Sequence, residues 1–556
     1  MGTIAALTVL SRVVGFLRTA VLAGVAGRSC VADAYLTANQ LPNVVFEVVA
    51  GGALAATVVP LLAGAAADLV GTLSALLGWV LLLLVPVAVG CAAAAPLIAH
   101  ALSGAGCAGE AGLVARMVVV FAPQIPLYGL AVLAAGALQA RSRFAAAAAA
   151  PLVSSIVVTS SYLLFRSMSR PTSGTAAALP GPALAVLAGG TTAGVVALTV
   201  TVVAAGRRVP ELRAVRPTLA FPPGRRRLAG RLAGAGLVAV LAAQAAAVVV
   251  TVVANRHGVP GSLATYAYAT AVSLLPAAVL TTPVTTTVLS RVSRAGQPGA
   301  AGRLVTRSTA AVVLLGMLGS AALVAAAPGL GQLLDAAPGV RGLAGRAGGG
   351  PAMVAVLDWL AVGVPGAALS THLARLAGGL GRTRAAGLLG SVGWVATGLG
   401  VGAASLLTPP ARIAAALGAA TGLGMLAGAA VAVAAWSGRW GADALRPVLA
   451  PAALGVLAAA AGAVAGRAVG GRLLEPGAGP ATAVLAAGTG ALVAVGVAAA
   501  LFTTGAALAG PVARRPWRSR HTERPRPASA VGRPVPADRG GVGASDTGDR
   551  PGETTP

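Results

Sequence analysis

Apolar runs of roughly the 20 residues a helix needs to cross a hydrocarbon core recur along nearly the whole chain, broken by short polar or Gly/Pro-rich stretches. In order they predict spans at Thr3 to Gly27, Ala32 to Ala55, Thr72 to His100, Val114 to Ala140, Ala145 to Leu164 and Pro182 to Ala205. After a basic stretch containing RRVPELRAVRP and PPGRRR, further spans follow at Leu232 to Ala254, Leu263 to Ser290, Ser308 to Pro328, Ala352 to Gly378, Ala385 to Ser405 and Ile413 to Trp436. Two more lie at Pro447 to Val469 and Ala481 to Leu508. The expected fold class is all-α, a polytopic membrane protein of about 14 transmembrane helices. Its expected organisation is a six-helix block over 1–206, a basic loop over 207–231, a second six-helix block over 232–437, a final helix pair over 447–508 and a tail over 511–556.

Composition supports this reading: 57% hydrophobic against 10% charged residues, over 556 residues, leaves too little polar surface for a set of soluble domains. No cleavage site follows the first apolar run, which is read as a retained span. From Pro511 the chain turns to RRPWRSRHTERPRPASAVGRPVPADRG, a Pro/Arg-rich composition that cannot bury a core and is expected to be disordered, either solvated or resting on an anionic leaflet.

The formal charge of +26 comes from arginine alone. These residues gather in alternate loops (Arg141 and Arg143; 207–231; Arg291, Arg294, Arg303 and Arg307; Arg382 and Arg384; Arg439 and Arg446), while Arg28, Arg166, Arg256 and Arg341 are scattered in the others. By the positive-inside rule both termini are expected to be cytoplasmic. Topology thus accounts for the basic balance, and no nucleic-acid partner is inferred. Cys30 and Cys107 fall in two outer loops where a bridge is open to them, although two unpaired small apolar residues are the expected state.

Ionisable groups inside apolar runs carry a cost, so each asks for a reason. Arg12 and Arg18 in the first span would each cost roughly 2.5 to 3.5 kcal/mol near a helix centre, and their spacing sets them ~120° apart around the helix, suited to bordering a wide cavity. In the second span, ADAYLTANQLPNVVFEVV, Asp33 sits at the outer end and Glu47 lies about 21 Å deeper, near the level of Arg12, with which it is expected to pair. Pro42 should bend this helix and free a carbonyl beside Gln40 and Asn43, making a hinge. Two buried cations without equal numbers of acids suggest an anionic ligand, with Arg12, Arg18, Asp33, Gln40 and Asn43 as candidate binding residues and Pro42 and Glu47 as structural or hinge residues. Asp358, His372, Arg375, Gln124, Gln244 and the TTPVTTT run near Thr281 are read as side chains satisfied by neighbouring helices.

No catalytic constellation emerges. The four histidines lack metal-ligand spacing, a phosphate loop ending in Lys is impossible in a Lys-free chain, and no Ser/His/Asp set is evident, so neither an enzyme nor a metal or cofactor site is expected.

The stretch SRVVGFLR, followed by ADAYLTANQLPN and GGALAATVVP, resembles the start of the MurJ (MviN) family of lipid II flippases, with weaker echoes at FAPQIPLYGL, RSRF, TTPVTTTVLSRVSRAGQ and GRTRAAG. The resemblance implies two pseudo-symmetric six-helix lobes of the MOP/MATE type and a final pair forming a groove for a polyprenyl tail. It also implies export, by alternating access and without ATP, of an undecaprenyl-pyrophosphate-linked peptidoglycan precursor across the cytoplasmic membrane. Arg12, Arg18 and Asp33 match family residues associated with the cavity and transport. Four positions depart from the pattern: Thr19 replaces an acid, Phe46 and Glu47 replace a basic pair, and Ala271 stands where the family usually places a cavity arginine. Those departures keep two alternatives open: an exporter of another lipid-linked saccharide or drug, and a transport-inactive scaffold that recruits cell-wall synthesis proteins through its basic tail.

Overall fold

The computed structural model describes residues 2–49, 69–168, 179–222, 225–292, 298–335, 349–440, 446–474 and 479–508. The helices are α1 (Gly2–Ala26), α2 (Cys30–Phe46), α3 (Leu69–Ala93), α4 (Ala95–Leu102), α5 (Glu110–Phe121), α6 (Gln124–Ala140), α7 (Phe144–Met168) and α8 (Gly181–Arg207). They continue as α9 (Arg225–His257), α10 (Ser262–Val292), α11 (Pro298–Asp335), α12 (Gly349–Gly379), α13 (Thr383–Leu407), α14 (Ile413–Trp440), α15 (Arg446–Arg472) and α16 (Pro480–Leu508). Among the described residues 12 stretches are long and apolar enough to cross a membrane, α5 and α6 together forming one of them. The fold is all-α, and α1 and α2 occupy the first two expected spans; the expected end of the second span, the Pro-rich tail and much of the basic loop lie outside the described residues.

Proline shapes several of these helices because it removes one amide donor and crowds the preceding turn. In α10 the turn after Pro276 widens into a π segment, Ala277–Thr281, and α8 carries a similar segment at Ala185–Gly189. α2 runs through Pro42 to Phe46 and then widens into a π turn over residues 47–49. The amide of Glu47 donates to the carbonyls of Asn43 and Val44.

Helices of the first half pack chiefly on one another, α1 and α8 on α7, α6 on α8 and on α3, and α2 on α5. In the second half α12 packs on α11 and α14, and α13 on α14 and α9, while α15 and α16 pair and rest together on α11. Lipid offers no hydrophobic drive between helices, so close packing must come from small residues. Between α12 and α14 the backbones nearly touch: a Cβ on Gly422 would lie 2.2 Å from the Trp359 carbonyl oxygen.

Several polar side chains inside the helices find partners on neighbouring helices. Gln124 donates to Thr192 at 2.8 Å. His372 sits between the hydroxyls of Thr285 (2.9 Å) and Ser308 (3.1 Å). Asp358 of α12 receives both its oxygens' bonds from Nη1 of Arg467 on α15, at 3.0 Å each. The basic stretch after α8 lies along α3, where the amides of Arg216 and Thr218 donate to the Ser74 hydroxyl and carbonyl and Trp79 donates to the Leu219 carbonyl.

Candidate functional site: a polar cavity closed by a latch

Between the two halves lies a cavity of about 230 Å³. α1 contributes Arg18 and Thr19, α2 contributes Tyr35, Asn39 and Asn43, α6 contributes Tyr128, and α7 and α8 contribute Tyr162 and Thr191. α10 closes the far wall with Ala267, Tyr268 and Ala271. Tyr35 anchors the wall, because its hydroxyl is shared with those of Tyr162 at 2.7 Å and Thr191 at 2.9 Å and its ring meets Phe121 and Tyr162 edge-on. Those hydroxyls are committed to the protein. Arg18, half-buried, makes no hydrogen bond or ion pair with a described residue, and the Asn39 and Asn43 amides and the Tyr128 hydroxyl are likewise free of described hydrogen-bond partners. One permanent cation among neutral donors is a site for an anionic, oxygen-rich group, since a guanidinium offers phosphate a fork of donors.

Above this cavity the two halves are latched together. Asp33, buried in α2, accepts the amide hydrogens of Gly261 (2.5 Å) and Ala264 (2.8 Å) at the first turn of α10. A carboxylate is favoured there by amides that lack an intrahelical acceptor and by the positive end of the helix dipole. Gly261 has φ +86°, a conformation that disfavours any other residue, and a Cβ there would press on Arg28. Arg28 donates from Nε to the Thr265 hydroxyl at 2.6 Å, and Tyr268 donates to the Gly27 carbonyl at 3.1 Å. Burial pulls the Arg28 guanidinium below its ordinary value, an effect opposed by Asp33 and Asp335. At the same end Asn255 of α9 donates to the Thr37 hydroxyl at 2.8 Å and to the Leu102 carbonyl at 2.9 Å, and Arg256 donates to the carbonyls of His100 and Ala101.

The structure therefore distributes the candidate residues. Arg18 and Asn43 line the cavity, whereas Asp33 is at the latch with both oxygens occupied. Gln40 is half-buried outside the cavity wall, Pro42 is buried within α2 and Glu47 is exposed. The side chain of Arg12, and with it the expected Arg12–Glu47 pair, lies outside the described residues. One expectation is corrected: Cys30 and Cys107 are joined by a disulfide, their Cα atoms 5.7 Å apart. Folding brings the start of α2 onto the turn before α5, a proximity that spacing along the chain does not reveal. Cys91 is the free cysteine.

Sequence reasoning missed Arg28, Asn255, Tyr128 and Tyr268. In the sequence Arg28 reads as one more scattered loop cation. The tyrosines carried a signal, since the chain has only 5 and four of them, Tyr35, Tyr128, Tyr162 and Tyr268, line one cavity.

A second, apolar groove of about 160 Å³ lies between α11, α15 and α16, lined by residues such as Leu314, Met317, Gly455, Ala459, Ala498 and Phe502.

A family profile described as "Lipid II flippase MurJ" matches residues 22–470, a stretch that holds the latch and the cavity wall apart from Arg18 and Thr19. The chain belongs to the lipid II flippase MurJ family. A curated relative named lipid II flippase MurJ, from Burkholderia cenocepacia (strain J2315), is 32% identical over 160 residues, covering 27% of this chain and 31% of the relative. The matched stretch thus spans about a third of that relative's length. A solved structure described as lipid II flippase MurJ in an inward closed conformation superposes with a TM-score of 0.70 at 16% identity, over 91% of this chain and 100% of that one. An inward-facing multidrug resistance MATE family transporter of the MOP superfamily superposes with a TM-score of 0.63 at 12% identity, over 77% and 94%. At those identities the likeness is one of fold, and it places this MurJ-family chain in the MOP/MATE-like architecture.

Proposed function

We propose that this chain is a flippase that carries a lipid-linked, pyrophosphate-bearing peptidoglycan precursor from the inner to the outer leaflet by alternating access. The single observation that carries the reading is the Arg18 cavity, polar and held between two helix groups, beneath a latch of buried, reversible hydrogen bonds. In this reading helices α1–α8 and α9–α14 are two lobes, both termini are cytoplasmic, and the latch is the outer gate.

Size supports an alternating mechanism. A volume of about 230 Å³ admits a pair of phosphates and part of a sugar, whereas ligand sites for whole drug-sized molecules run to roughly 300–1,000 Å³. A disaccharide pentapeptide enters only when the inner ends of the lobes part. The phosphates then meet Arg18 and the amides of Asn39 and Asn43. Parting of the latch afterwards opens the same cavity to the other side. The polyprenyl tail stays outside the cavity, and the apolar groove between α11, α15 and α16 supplies a surface of matching chemistry.

Replacing the resident flippase of a bacterium with this chain and following surface exposure of labelled lipid II tests the proposal. Exposure restored by the parent chain and lost in Arg18→Ala, with equal membrane insertion, is the expected result. No restoration by a correctly inserted parent chain overturns the substrate assignment.

A further inference from the structure

The latch contains an acid that the transport reading does not use. Glu110, the first residue of α5, is 3% exposed and is braced beside Asp33 by the Cys30–Cys107 disulfide three residues before it. Its carboxyl oxygen Oε1 has no partner among the described residues. Asp33 differs: both its oxygens accept amide hydrogens, an arrangement that favours the ionised carboxylate. A second buried anion beside it, with an orphaned oxygen, would be unneutralised, whereas a carboxylic acid in that position is not.

Among the described residues no cation pairs with Glu110, and Arg256 of α9, at the same end, is held by the carbonyls of His100 and Ala101. Of the elements packed on α5, α2 presents Asp33, α4 presents His100, which is exposed, α3 carries Cys91, and α8 has its arginine at the far end. Arg116 lies on α5 itself, and Arg28, with Asp335 near it, faces Asp33.

We propose that Glu110 is a proton-binding site of the latch: it holds a proton while the two halves are joined at this end. When they part, its O–H bond breaks and the proton passes to water on that side. Parting of the latch brings water to Glu110, and re-closure takes a proton back from the same side. This rests on the alternating-access reading above, but not on the identity of the cargo.

The test is accessibility without cargo. Ala271→Cys in a Cys91→Ser background places one free thiol in the cavity wall, and a membrane-impermeant maleimide is applied from the latch side. If opening requires deprotonation, labelling rises about tenfold per pH unit until deprotonation is complete. Glu110→Gln, which mimics the protonated acid, should remove that rise, and the ratio of the two profiles cancels the thiol's own titration. Identical profiles in parent and Glu110→Gln overturn the proposal. Absence of latch-side labelling at every pH, in the parent and in Asp33→Ala alike, overturns the proposal, while restored surface exposure of lipid II would leave the alternating-access reading standing. Infrared spectroscopy of the parent protein needs no Glu110 variant: a protonated-carboxyl band that disappears as pH rises is expected, and its absence at mildly acidic pH refutes the assignment.

Discussion

Replacing Asp33 with alanine should unlatch the two halves. The carboxylate makes two short bonds, of 2.5 and 2.8 Å, to the amides of Gly261 and Ala264, both buried and both at a helix N-terminus. Hydrogen bonds to a charged partner contribute about 1.5–3 kcal/mol each, so their loss costs the latched state about 3–6 kcal/mol. Water can reach the freed amides once the latch parts, which argues for the lower end. At ~1.4 kcal/mol per factor of ten, a loss of about 3 kcal/mol shifts the latched-to-open ratio by roughly 100-fold. The Asp33→Asn substitution would keep one acceptor and turn an amide donor toward the second N–H, giving an intermediate shift. Spin labels on Ala105→Cys and Val259→Cys in a Cys91→Ser background report the separation directly, since both positions are exposed at the latch, on opposite sides of it. The parent should give a short, narrow distance distribution, Asp33→Ala a long one and Asp33→Asn a mixture. An unchanged short distance in Asp33→Ala would show that the remaining bonds, from Arg28, Tyr268 and Asn255, hold the latch alone.

Other substitutions probe different parts of the argument. Ala271→Arg adds a second cation to the cavity wall, so binding of a pyrophosphate lipid analogue should tighten about tenfold, with a steeper salt dependence; unchanged affinity would place Ala271 away from the bound phosphates. Gly422→Val drives a side chain into the Trp359 carbonyl at the α12–α14 crossing and should lower thermal stability by about 1–3 kcal/mol, read as a drop in the helical melting temperature, which Gly402→Val, built where a Cβ meets nothing within 4 Å, should not produce. Reducing the Cys30–Cys107 disulfide, whose cysteines are 77 residues apart, should destabilise the fold by up to ~4.5 kcal/mol in the chain-entropy account, less where helices persist in the unfolded state; calorimetry with and without reductant checks this, with Cys91→Ser as the unaffected control.

The all-α membrane class was legible because hydrocarbon demands long apolar helices whatever their partners, and each helix writes that demand locally along the chain. The cavity was half legible. Arg18 and Asn43 could be found because a charge or amide inside an apolar run is conspicuous by itself. The latch was not legible, since Asp33 is an ordinary acid at a helix start until Gly261, 228 residues later, is brought against it. Asp33, expected among the binding residues, has both oxygens on the amides of Gly261 and Ala264 here, partners that its motif does not name. The disulfide escaped for the same reason, a contact across 77 residues between two loops that are each ordinary. Asp358 and Arg467 were each visible as charges, but their union across α12 and α15 needed the fold.

In the proposed cycle the energies at the latch and in the membrane are of comparable size, which is what transport without ATP would require. Two hydrogen bonds at Asp33 contribute about 3–6 kcal/mol to the closed state. A cargo moving outward gains about 2.3 kcal/mol per negative charge per 100 mV, roughly 5 kcal/mol for a doubly charged pyrophosphate. A latch much stronger than this would trap the cargo, and a much weaker one would let the cavity open at both ends. Arg18 shares the balance, because a cation that neutralises part of the cargo reduces the charge the field can act on; Ala271 in place of a second arginine leaves more of that charge exposed. Ala271→Arg should therefore tighten binding while weakening the dependence of flipping on membrane potential, two effects of opposite value to transport. Measuring both in the same vesicles separates the electrostatic account from a steric one, in which binding and flipping would fall together.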